Sequence, residues 1–155
     1  MHFHLGNADY VALFEPTASS TELAGKGYIV SSIGKETAEM PYTAYFAKKS
    51  YIEENPDIIQ KFTNAIYKAQ KWMQEHTTEE VASAIAPYFP DTETDLIVTV
   101  LNRYKAIDVW STSPYISEDS FELLQTVIQD AGELKEKAPY SKVINNDFAN
   151  KVINK

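Results

Sequence analysis

Residues 55–73 read NPDIIQKFTNAIYKAQKWM. Asn55 followed by Pro56 places a capping residue before a proline at a first helical position, where the missing N–H is not needed and φ is already helical. Ile58, Ile59, Phe62, Ala65, Ile66, Ala69, Trp72 and Met73 then share one stripe at 3.6-residue spacing. The stretch is an amphipathic helix that has to lay this stripe on something apolar.

Downstream the helical pattern continues in punctuated pieces. Thr77 with Glu80 forms a capping box for a helix through Val81, Ala82 and Ile85, which Pro87 and Pro90 prevent from continuing. Thr92 is placed to cap a third helix with Leu96, Ile97, Val100, Leu101 and Tyr104 as its apolar positions. Ser117, with Glu118 and Asp119 at the positive end of the helix dipole, starts a fourth that Gly132 closes. A last short helix is expected from Asn146 or Asp147 through Ile153.

Upstream the style changes. ADYVALF (8–14), GYIVSSI (27–33) and PYTAYFA (41–47) are short runs of β-branched and aromatic residues between Gly and Pro, and they predict three strands. PTASSTELAGKG lies between the first two, with Pro16 suited to a first helical turn and Gly25 or Gly27 to a left-handed stop. Strand, helix, strand implies a parallel pair with a crossover. Three strands do not shield so many amphipathic helices, so the expected sheet reads as incomplete.

The composition is globular, with 44% hydrophobic and 23% charged residues. At 155 residues and a formal net charge of −8, the chain repels phosphate backbones and anionic lipid, which argues against nucleic acid as a partner. There is no cysteine, hence no disulfide, thiolate metal site or cysteine nucleophile. No run approaches the roughly 18 apolar residues of a membrane span. The opening MHFHLGNADYVALFEP lacks the basic and long apolar regions of a signal peptide.

Four segments in order, GNADYVALFEPTAS (6–19), GKGYIVSSIG (25–34), PYTAYFAKKSYIEENPDIIQKFTNAIYKAQKWM (41–73) and YKAIDVW (104–110), resemble the C-terminal half of type II periplasmic-binding-like proteins. Within these they are similar to the thiamine-precursor, sulfonate and nitrate group of ABC-importer solute-binding proteins. The resemblance implies a helix-rich α/β fold, part of a three-layer architecture with few strands and about five to six helices. Residues 1–40 would be the end of the second lobe and 41–155 the C-terminal part of the first, with the family's N-terminal half absent. It also implies an extracytoplasmic setting, a small-molecule ligand held without a cofactor, and an ABC permease as membrane partner. Exposed apolar faces left by the absent half would favour a homodimer.

The candidate ligand-binding residues are Phe14, Glu15, Thr17, Tyr42, Thr43 and Trp110. The first three sit where a strand is expected to end and a helix to begin, the usual ligand crevice of parallel α/β sheets. An aromatic plate beside a carboxylate suits a cationic or amino-substituted heteroaromatic ligand; equally, Phe14 is core and Glu15 caps the helix. Tyr42 and Thr43 follow Pro41 at the expected crossover and either reach the cleft or pack a hinge. Trp110 either stacks on a ligand or lids the core. His2 and His4 alternate at strand spacing but lack a third metal ligand nearby. GxSxG, GxxxxGK[ST], HExxH and GxGxxG are all missing, so binding is expected rather than catalysis. The alternatives are an enzyme of the pyrimidine-synthesis type on the same fold, and a helical protein-interaction module.

Overall fold

The computed structural model describes residues 8–107 and 109–154. They form two compact units whose segments alternate along the sequence, the first built from residues up to 36 together with 76–110, the second from 37–75 together with 111 onward. Among the described residues there is no strand. The expected helix-rich α/β, three-layer architecture is therefore corrected: every regular element described is helical.

The physical reason is visible in each predicted strand. A strand satisfies its backbone only through a neighbour, and none of the three runs lies in a ladder. Residues 9–14 lead into a helical turn, where the Phe14 carbonyl accepts from the Ala18 amide at 3.0 Å. The Ile29 amide is taken by the Glu22 carboxylate at 3.0 Å, and Ile33 is drawn into a short helix. Residues 41–47 stay irregular, with Phe46 98% exposed.

In the first unit, α1 (Thr17–Leu23) follows the cis Glu15–Pro16 peptide, and α2 is Ile33–Glu36. Gly25 (φ 65°) ends α1 in a Schellman arrangement. Its amide bonds the Glu22 carbonyl at 2.9 Å and the Lys26 amide bonds that of Thr21 at 3.1 Å. Nothing lies within 4 Å of a Cβ built there, so the positive φ and not space is what calls for glycine. The elements α5 (Thr78–Ile85) and α6 (Thr94–Ala106) pack on each other, and α1 also packs on α6. Val81 and Ala82 of α5 and Ile97 and Leu101 of α6 form the buried core. The Thr77–Glu80 capping box is present in full, and a 3₁₀ turn over Ala86–Tyr88 follows α5. Thr92 does not cap α6: Glu93 holds the N-cap position, without a side-chain bond.

The second unit holds α3 (Lys49–Glu54), α4 (Pro56–Glu75), α7 (Glu118–Asp130), α8 (Tyr140–Val143) and α9 (Asp147–Ile153). Pro56 does open α4, but the Asn55 amide group turns back to the Tyr51 carbonyl of α3 at 3.1 Å instead of capping forward. Gln60 ties α4 to α9 by donating to the Phe148 carbonyl at 3.0 Å. Ser117 caps α7 by accepting from the Ser120 amide at 3.2 Å, and Gly132 (φ 81°) closes it. Asn146 and Tyr140 knot the unit together through Ile116. The Asn146 Nδ2 donates to the Ile116 carbonyl at 2.8 Å and its Oδ1 accepts from the Ile116 amide at 3.2 Å, while the Tyr140 hydroxyl donates to the same carbonyl at 2.5 Å.

Candidate functional site

The α1 helix has the sequence TASSTEL, short and rich in hydroxyl residues of weak helix propensity. Its short turn is held from outside. Ser19 is fully buried, and both its polar groups bond Glu15: the amide to Oε2 at 3.0 Å and the hydroxyl to Oε1 at 2.9 Å. Arg103 of α6, the single arginine of the sequence, brings its Nη1 to 3.7 Å from Glu15 Oε1 and hydrogen-bonds Glu22 through Nη2. The Ile29 amide first, and Arg103 second, hold the Glu22 carboxyl below its ordinary range.

This arrangement gives α1 two sides. Ser19 and Glu15 face inward to α6, while Thr17, Ser20 and Thr21 line an open groove of about 400 Å³ with Lys26, Asp91 and Thr92. Its wall mixes these hydroxyls, one ammonium and one carboxylate with the apolar Pro16, Ala24 and Leu96. A second hollow of about 540 Å³, in the other unit, is bordered by Phe121, Tyr140, Lys137 and the carboxylates Glu118, Asp119 and Glu122. There Lys137 is paired with Glu122.

Of the sequence candidates, Phe14, Glu15 and Thr17 come together at the start of α1. Phe14 is 69% exposed, Glu15 is turned to Ser19 and Arg103, and Thr17 faces the groove. Trp110 is half-buried and meets Tyr104 edge-on, with ring centroids 5.6 Å apart, in the same unit. Tyr42 and Thr43 are exposed and belong to the other unit. His2 and His4 lie outside the described residues. Among the described residues, no group of three or more His, Asp or Glu side chains is placed to hold a metal, and no helix is long and apolar enough to cross a membrane.

Arg103, Ser19, Lys26 and Thr92 are the participants that sequence reading passed over as site residues. The lone arginine was the available signal, because a guanidinium is preferred over an ammonium where carboxylates converge.

No protein-family model matches the chain, and no solved structure matches it. The chain is similar to "Putative binding protein YtlA" of Bacillus subtilis (strain 168), at 45% identity over 150 residues, which is 97% of this chain. It spans 45% of that relative's length.

Proposed function

We propose that this chain is a portion of a solute-binding protein serving an ABC importer outside the cytoplasm, and that it captures a small molecule reversibly and without chemistry. The observation that carries the binding role is the 45% identity, along almost the whole chain, to a protein described as a binding protein. The importer, its permease and the location extend the family resemblance of the four sequence segments.

Among thiamine-type pyrimidines, sulfonates and nitrate, the groove on α1 favours an oxyanion. The Glu15 carboxylate, which would have met an amino-heterocycle, is committed to Ser19 and Arg103. The groove instead offers the hydroxyls of Thr17, Ser20, Thr21 and Thr92 and the ammonium of Lys26, all able to donate to an anionic oxygen. Asp91, on the same wall, offsets the Lys26 charge.

Thermal denaturation with methanesulfonate, nitrate or an aminopyrimidine tests the proposal, with parallel chemical analysis of each solute. An oxyanion at about 100 times its Kd adds about 2.7 kcal/mol, and the solute is recovered unchanged. Lys26→Ala removes the shift. Stabilisation by none of the three, or conversion of any of them, defeats it.

A further inference from the structure

The strongest amphipathic stripe in the sequence ends on a helix with no buried residue. All of α4 is at least partly open, with Ile58 52% and Phe62 45% exposed one turn apart on the same face. The Tyr45 ring stands edge-on to Phe62, centroids 4.8 Å apart, yet is itself 75% exposed, and its neighbour Phe46 is 98% exposed. Tyr51 of α3, which packs on α4, is 44% exposed. On α3, Lys49 and Glu53 form an exposed i,i+4 pair. Exposed aromatic side chains are enriched at protein interfaces. Soluble monomers rarely leave large apolar patches open.

The sequence comparison points to what covers it. Nearly the whole chain matches less than half of a longer polypeptide. In that relative the remainder is covalently attached, so any affinity it has for this face acts at the high effective concentration of a tether. A lipid surface fits poorly, since the chain carries a net charge of −8 and the Lys49 charge is already matched by Glu53.

We propose that the aromatic face of Tyr45, Phe46, Ile58 and Phe62 is a docking surface for polypeptide equivalent to the part of the Bacillus subtilis relative that this chain does not span. The inference shares the sequence comparison with the ligand-binding reading but concerns a different unit from the groove, so its failure leaves that reading standing.

The test is co-expression of the tagged 155-residue chain with that unmatched part of the relative, so that each can fold on the other. Light scattering gives a one-to-one complex, and hydrogen exchange of the unsubstituted pair slows at amides 45–62. Phe46→Ser weakens the complex at least about tenfold, as loss of an anchoring aromatic does. Its helical melt when alone is unchanged, because a side chain exposed to this degree supports little of the isolated fold. Absence of a complex overturns the proposal, as does a complex indifferent to Phe46→Ser and without protection at 45–62. A homodimer of the chain that protects those amides overturns it too, by making a second copy the occupant.

Discussion

Glu15→Ala and Glu15→Gln separate a carboxylate that holds the fold from one that waits for a ligand. Ser19 is wholly buried, so neither its amide nor its hydroxyl can turn to water when the acceptor is removed. Each bond has a charged acceptor, which contributes about 1.5–3 kcal/mol. With both at the low end, Glu15→Ala costs about 3 kcal/mol. The Arg103 pairing adds only about 0–1 kcal/mol, because the guanidinium is 34% exposed and water screens it. Gln retains one acceptor oxygen and loses the charge, and is expected to cost about half as much. For a chain of this size these losses lower Tm by about 2–4 °C per kcal/mol. Urea denaturation followed by far-ultraviolet dichroism measures the difference, and hydrogen exchange at the Ser19 amide locates it. An Ala variant within about 0.5 kcal/mol of the parent, or a Gln variant as damaged as Ala, would refute the reasoning and return Glu15 to the ligand.

Leu101→Ala, in the α5–α6 core, is expected to cost about 2–4 kcal/mol, at the lower part of the range for buried leucines because so few residues of this unit are buried; chemical denaturation reads it. Thr77→Ala removes one arm of the α5 capping box and costs about 1 kcal/mol in the same assay. The Thr77 amide and then its hydroxyl hold Glu80 below the ordinary 4.5. With the folded value below the unfolded one, this stabilisation is complete above pH 4.5 and fades as pH falls through the lowered value; Thr77→Ala should shallow that acid slope in melts recorded between pH 3 and 6. Burial first, then Tyr115 and Glu118, raises the Tyr140 hydroxyl above its ordinary 10.0. Its contribution is therefore complete below pH 10 and lost as pH climbs through the raised value, and Tyr140→Phe should flatten the alkaline limb of the stability profile.

The helices were legible because a helix closes its hydrogen bonds within itself. Pro56, the Thr77–Glu80 box, Ser117, Gly25 and Gly132 all act within a turn or two of their own position, and each is found in its expected role. The caps that failed, Asn55 and Thr92, failed by one competing bond or one residue of register. Strands are a relation between distant segments. ADYVALF, GYIVSSI and PYTAYFA carry the composition of strands, but composition does not supply a partner, and α1 takes part of their backbone instead: the Phe14 carbonyl accepts from the Ala18 amide and the Ile29 amide donates to the Glu22 carboxylate. The short α2, α3 and α8 had too few residues to show a period.

The site was harder to read because Arg103 stands 81 residues from its partner Glu22. Nothing near TASSTEL announces Arg103, yet a helix of seven residues with this composition does not persist unaided. It is held at one end by the Gly25 stop, beneath by Ser19 and Glu15, and across by Arg103 through Glu22. The residues that face the groove contribute little to this anchoring, so Thr17, Ser20 and Thr21 are presented by a frame they do not build. Arg103 should then influence groove binding without touching the solute. Arg103→Met, which keeps the apolar stem, is expected to weaken oxyanion binding and to speed hydrogen exchange across residues 17–23, while α7 and α9 in the other unit exchange as before. Unchanged exchange in 17–23 would mean that α1 is held by its packing on α6 alone and that the two glutamates do not transmit the arginine's grip.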